Sequence, residues 1–308
     1  MKNFVLFVLI LNSYLSLSQK KEVCFTIDDL PVVSYGQTEQ FYLWDMTLNL
    51  ISTLDKYEIP AVAFVNEGKM FDGEKLDSTQ LDLLKLWFQN GYEVGNHTYS
   101  HMSYHGNSFE AFREEVLKGE KISRHLEQEY NKELRYFRHP YLRVGETKEK
   151  YDQLNKLLKS KGYITAPVTV VNQDWVFAGA YAAAEKKNAK DTMQMIGDAY
   201  VDFSIRCFKW EEGKSSAFFG RNIKHTLLLH ANKLNADYLD DLTSKLIEME
   251  YEFVTLEEAL KDEAYKIEIT EFSNNGTNWL DAFGKTLGKT YEATTSPPDF
   301  PKWISNYQ

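Results

Sequence analysis

The chain has 308 residues, 43% of them hydrophobic, enough to bury a full core as one large domain or two modest ones. Its formal net charge is -10 and no basic run of useful length appears, which excludes the electrostatic footprint of a nucleic-acid binder. With only Cys24 and Cys207 there is no disulfide framework, and two separately buried thiols fit better than one bridge.

Taken in chain order, residues 1–18 come first: Lys2, an apolar stretch from Phe4 to Leu11, and small Ser16 and Ser18 ahead of Gln19 have the layout of a cleavable secretory signal. The apolar stretch is far short of the roughly 20 residues that span a bilayer. Export to a periplasmic or extracellular location is therefore expected, with no stable membrane insertion after cleavage. Cys24 sits inside a strand-like run and not at the cleavage point, which argues against a lipid anchor.

Strand-length apolar runs follow at Val23 to Ile27, Ala61 to Val65, Tyr92 to Val94, Tyr136 to Phe137, Ile164 to Val171, Thr226 to Leu229 and Phe253 to Val254. Between them, helical spacing runs over Phe41 to Tyr57, Phe109 to Tyr130, Tyr151 to Lys159 and Tyr238 to Met249. Another helix is expected to start on a Ser78 cap, place Leu81, Leu84 and Phe88 on one face, and stop at Gly91. Ala182 to Lys224 is helical in composition. Strands alternating with helices imply parallel pairing through right-handed crossovers, hence a doubly wound sheet or a barrel. Chemistry-bearing residues end five of the strand-like runs, and five strands converge on one site more readily in a barrel. The polar NNGTNW and TTSPPDFPKWI segments beyond Asp262 read as a tail, residues 263–308, folding back over a barrel of residues 19–262.

The five segments are FTIDDLP with Asp28 and Asp29, GNHTYSH with His97 and His101, FRHPY with Arg138 and Tyr141, NQDW with Asp174 and Trp175, and TLLLH ending at His230. His97 and His101 are four apart, which on a helical turn puts both imidazoles on one face. No Glu follows His97, so the acid that completes a metal site must come from elsewhere, and Asp29 can supply it. Neighbouring strand residues point to opposite faces, so Asp28 and Asp29 share a site only where the strand is ending, as the following Pro31 suggests. Taken one at a time, the acidic pair reads better as a solvated turn, Arg138 as a surface arginine, Trp175 as core and His230 as structural.

Together and in this order the segments resemble the polysaccharide deacetylases, the family four carbohydrate esterases that share the NodB homology domain, over roughly Val23 to Leu260. The resemblance implies an α/β fold, a distorted (β/α) barrel of seven or eight parallel strands. It implies one divalent metal on Asp29, His97 and His101, zinc first, with cobalt or nickel as substitutes. Asp28 maps to the catalytic base and Arg138 to the residue that holds it. The Tyr141 amide maps to the oxyanion donor, His230 to the acid, Asp174 to its orienter, and Trp175 with Tyr141 to the substrate pocket. The implied reaction is removal of acetyl groups from a glycan, with N-acetylglucosamine polymers ahead of acetylated xylan. A hydrolase of small non-peptide amides is the alternative, and a non-enzymatic glycan binder a third reading. The chain departs from the family where Leu30 and Pro31 replace the usual Gly after the two acids, and where Arg143 replaces a small residue. His105, His125, His139 and His225 receive no role, and nothing separates sugar contact from packing for Tyr99, Tyr104 and Trp210.

Overall fold

A computed structural model of the chain describes residues 20–292 and 296–307, so the expected signal lies outside the described residues. In chain order its elements are β1 (Lys21–Val33), α1 (Gln40–Lys56), β2 (Val62–Val65), a hairpin of β3 (Phe71–Asp72) and β4 (Lys75–Leu76), α2 (Ser78–Gln89) and β5 (Glu93–Asn96). Next come α3 (Phe109–Lys118), α4 (Lys121–Tyr130), β6 (Tyr136–Phe137), α5 (Lys148–Ser160), β7 (Ile164–Thr165), β8 (Val170–Val171), α6 (Asp174–Lys186) and α7 (Lys190–Phe219). The last are β9 (His225–Asn232), α8 (Lys233–Glu248), β10 (Tyr251–Phe253), α9 (Leu256–Ala259) and α10 (Trp279–Thr286). Among the described residues no helix is long and apolar enough to cross a membrane.

All ladders of the main sheet are parallel, in the order β7-β6-β5-β2-β1-β9-β8, with β10 paired to the first residues of β1. This is the expected α/β architecture, a curled, incomplete barrel. Period-two alternation sorts its side chains. Val23, Phe25 and Ile27 of β1, with Leu227 and Leu229 of β9, pack against α1, α2 and α6 to α8. The intervening Cys24 joins Val62, Phe64 and Tyr136 inside the curl. Each Leu or Ile so buried contributes about 1.5–3 kcal/mol relative to an exposed one. Both cysteines are free and buried, as expected.

The single strand expected over Ile164 to Val171 is two. Pro167 cannot donate to a ladder, and the chain changes partners around it. The amides of Ile164 and Ala166 bond to Arg135 and Phe137 on one edge, while that of Thr169 bonds to Thr226 on the other. One apolar run thus supplies both rims of the open seam. Across it, the Trp279 amide donates to the Val168 carbonyl at 2.9 Å, and Trp279, Leu280 and Phe283 pack with Phe218 and Ile223 in a core of their own.

Two helix expectations also change. Asp77, not Ser78, caps α2, its carboxylate accepting from the amides of Thr79 and Gln80 at 2.8 and 3.3 Å, whereas the stop before Gly91 is as expected. The long helix over Phe109 to Tyr130 is broken into α3 and α4, because Gly119 packs its backbone on the backbone of Thr98 and Tyr99. A Cβ there would lie 2.5 Å from the Thr98 carbonyl carbon. The new N-terminus of α4 is capped from a distance by Glu67, which accepts from the amides of Ile122 and Ser123.

Gly119→Ala should therefore destabilise the fold by about 1–3 kcal/mol, the usual cost of overpacking. A urea or thermal midpoint indistinguishable from wild type would show that this backbone contact yields freely.

Candidate active site

Strand β1 does not end at the acidic pair as expected. It runs on to Val33, but its register against β9 shifts after Asp28, and Asp29 adopts φ 71°. The left-handed residue breaks the alternation and returns the second carboxylate to the face of the first. Lys69 holds the bend, its Nζ donating to the Asp29 carbonyl at 2.7 Å. Leu30, at the family's glycine position, fills the helix-side core.

His97 and His101 are not on a helix either. They lie on the loop after β5, and Thr98 at φ 66° and His101 at φ 58° fold that loop so that the two rings stand 4.8 Å apart. The loop is pinned by Asn66 Nδ2 on the His97 carbonyl at 2.6 Å, by the Thr98 amide on Asn96 Oδ1 at 2.7 Å and by the Tyr99 amide on the Glu115 carbonyl. Asp29 Oδ1 lies 3.7 Å from His97 Nε2 and 3.6 Å from His101 Nε2.

These three residues fit a divalent cation, because their candidate ligating atoms, two imidazole nitrogens and a carboxylate oxygen, all lie within 4.8 Å of one another. His97 Nδ1–H donates to the Arg138 carbonyl at 2.8 Å, which leaves Nε2 unprotonated toward Asp29. Burial, reinforced by His101, pulls the His97 pKa well below its ordinary value, and burial lowers that of His101. Burial alone would push Asp29 up, but the charges of Lys69 and the nearby histidines outweigh it and hold the carboxyl below the usual range. Asp29 Oδ1 is buried and makes no hydrogen bond.

Asp28 lies on the inner face of β1, its Oδ1 3.4 Å from Arg138 Nε and its Oδ2 3.7 Å from His97 Nε2. Arg138, fully buried, also donates from Nη2 to Thr26 Oγ1 at 2.5 Å and stands over the Phe64 ring. Burial pushes the Asp28 pKa up to about 6, against the pull of the guanidinium. Tyr141 occupies a turn over Pro140–Leu142 at φ 57°, its ring 55% exposed and 4.4 Å from that of His101. Arg143 stands over that ring and donates to Ser103 Oγ.

Asp174 is the first residue of α6, three past the short β8, and His230 lies within β9. His230 donates to Asp174 twice, from Nδ1 to Oδ1 at 2.7 Å and from its amide to Oδ2 at 2.8 Å. Burial opposes a charge on His230, but Asp174 prevails and raises its pKa to about 9. The Trp175 ring is 42% exposed and 5.7 Å from the imidazole.

A pocket of about 360 Å³ joins Asp28, Asp29, His97, His101, Tyr141, Trp175 and His230, with Arg138 and Asp174 behind its wall. Val33, Tyr35, Leu142 and Leu228 also line it and escape the sequence reading, since none carries a local motif. Tyr35 is tied across it by its hydroxyl, which donates to the Trp175 carbonyl at 3.0 Å. Tyr99, Tyr104 and Trp210 do not line it; Tyr104 is core, against Phe112. A larger cleft of about 570 Å³ between α5, β7 and the tail holds none of the site groups.

No curated protein matches the chain. Among solved structures, a family four carbohydrate esterase pseudoenzyme from Bacillus anthracis is similar at 19% identity and a TM-score of 0.51, over 79% of this chain and 66% of that one. A mutant pseudoenzyme with restored enzymatic activity gives 20% and 0.52, over 79% and 68%. A peptidoglycan N-acetylglucosamine deacetylase gives 20% and 0.50, over 78% and 88%. At these identities the likeness is one of fold. The polysaccharide deacetylase family model matches residues 17–163, a segment that carries Asp28, Asp29, His97, His101, Arg138 and Tyr141 and stops short of Asp174, Trp175 and His230. Over that segment, just under half of its length, the chain is similar to the polysaccharide deacetylase family.

Proposed function

We propose that the protein is a metal-dependent hydrolase that removes acetyl groups from an N-acetylglucosamine-containing glycan outside the cytoplasm. The observation that carries this reading is the convergence of Asp29, His97 and His101 within 4.8 Å, flanked in one pocket by a carboxylate, Asp28, and an imidazole, His230. A divalent cation on the three ligands, zinc foremost and cobalt or nickel in its place, supplies Lewis acidity to the acetyl carbonyl and to water.

Asp28 takes the proton of the attacking water, held in place by Arg138. The Tyr141 amide donates to the oxyanion that develops as the carbonyl carbon becomes tetrahedral. His230, charged near neutrality through Asp174, gives its proton to the amine as the carbon–nitrogen bond breaks. An amine leaves only once protonated, which favours an N-acetyl over an O-acetyl substrate. Trp175 and Tyr35 wall the pocket where a sugar ring stacks. The similar fold of a peptidoglycan N-acetylglucosamine deacetylase supports the substrate class.

Wild type should retain about one divalent cation per chain after loading, and Asp29→Ala and His97→Ala should lose it. Elemental analysis is the check, and unchanged stoichiometry in both variants removes the ligand assignment. Asp28→Asn and His230→Ala should each keep the metal and lose on the order of 10² to 10⁴ in turnover. A His230→Ala enzyme of full activity would show that this imidazole is not the proton donor.

Metal-loaded protein should release acetate from chitin oligosaccharides or peptidoglycan fragments in preference to acetylated xylan, with product mass locating each lost group. Release from xylan alone would overturn the amide preference. Release from none of them would put small non-peptide amides first.

A further inference from the structure

Asp174 holds His230, and is itself held. Beyond the two bonds from His230, its Oδ2 accepts from Asn235 Nδ2 at 2.6 Å and from Asn232 Nδ2 at 3.2 Å. A carboxylate only accepts, so Asn235 must present its NH₂ group to Asp174. That same nitrogen also donates to the His230 carbonyl at 2.8 Å. A side-chain amide has two nearly isosteric orientations, and the opposite one would set an oxygen against the Asp174 carboxylate. What meets the other end of the amide therefore either reinforces or opposes the orientation that serves His230.

At that end stands Tyr200 of α7, fully buried, its hydroxyl donating to Asn235 Oδ1 at 2.6 Å. Asn172 Nδ2 donates to the phenol oxygen at 3.2 Å, which commits the one hydroxyl hydrogen to Asn235. Burial, with the charge of Asp174 nearby, keeps the phenol protonated and so a donor. Asn172 Oδ1 also accepts the amide of Asp174 at 3.3 Å. Every bond in this chain is directional, and those linking Asn172, Tyr200, Asn235 and Asp174 are buried, where an unmade hydrogen bond is most costly.

We propose that Tyr200 is a positioning residue for the acid: it fixes the amide orientation of Asn235, which holds Asp174 and, through Asp174, the tautomer and tilt of His230. This rests on the reading of His230 as proton donor. It gives α7, which carries none of the five motif segments, a share in the site.

The test compares Tyr200→Phe, Asn235→Ala and the double variant as metal-loaded proteins acting on chitin oligosaccharides. Tyr200→Phe keeps the ring against Phe177 and removes only the hydroxyl. Its kcat should fall on the order of 10-fold, as for outer-shell partners of catalytic groups, with KM held within roughly twofold. The double variant should be no worse than Asn235→Ala, because the hydroxyl acts through the amide. The downfield proton resonance of His230 Nδ1–H, identified by its absence from His230→Ala, should shift or be lost to exchange in both single variants. An unchanged resonance in Tyr200→Phe, or a double variant whose loss is the product of the single losses, overturns the proposal. Should Tyr200→Phe fail to fold, judged by melting and metal content, Asn235→Ala decides by the same resonance. A His230→Ala enzyme of full turnover would overturn the acid reading instead, and the resonance would still decide for Tyr200.

Discussion

The site depends on the burial of one arginine. Arg138 is wholly inside the barrel, and three of its groups each fix a different part of the site. Its guanidinium faces Asp28, its carbonyl takes Nδ1–H of His97, and its amide bonds to the Asn96 carbonyl, which ties β6 to β5. A guanidinium in such a place must be paired, because removing one partner of a buried ion pair typically costs about 3–5 kcal/mol. Thr26 and the Phe64 face supply the remaining contacts. Asp28 and His97 are thus set by the same residue, and neither can move without disturbing the other.

A second constraint is backbone strain. Asp29, Thr98, His101, Tyr141 and Gln173 all have φ between 50° and 75° without being glycine, and every one adjoins the pocket or carries a group that enters it. Left-handed backbone costs non-glycine residues energy, and Thr98 is β-branched, for which it is a true outlier. The hydrogen bonds of Lys69, Asn66 and Asn96 to these same loops offset that cost. Strain here does geometric work, since regular strand or helix would point Asp29 and His101 elsewhere.

This explains what was legible in the sequence. Strand positions follow from apolar runs, a local property, and so does the placement of the chemistry-bearing residues at or near the ends of those runs. The sequence brings Asp29 to His97 and His101, but the chain does so through left-handed residues and not through a strand end and a helical turn, because left-handed residues leave no mark in composition. The split at Pro167 shows in the sequence only as a proline within an apolar run. Tyr35 and the Tyr200–Asn235–Asp174 chain were out of reach, because they join segments far apart in sequence through single hydrogen bonds that no spacing encodes.

Asp28 and His230 stand on two supports. Asp28, Asp29, His97 and His101 rest on β1, β5 and β6, whereas His230 rests on β9, α6 and α8 with α7 behind them. What joins the supports is the long ladder of β1 with β9, in which Asp28 and His230 are register partners. Neighbouring strands lie roughly 4.8 Å apart, so sheet geometry sets the distance between Asp28 and His230. A slip of one residue in that ladder would turn every inward side chain outward. The apolar sets Val23, Phe25, Ile27 and Leu227, Leu229 forbid it by their burial against the helices. The hydrophobic pattern that builds the barrel is therefore also what keeps the two halves of the pocket in step.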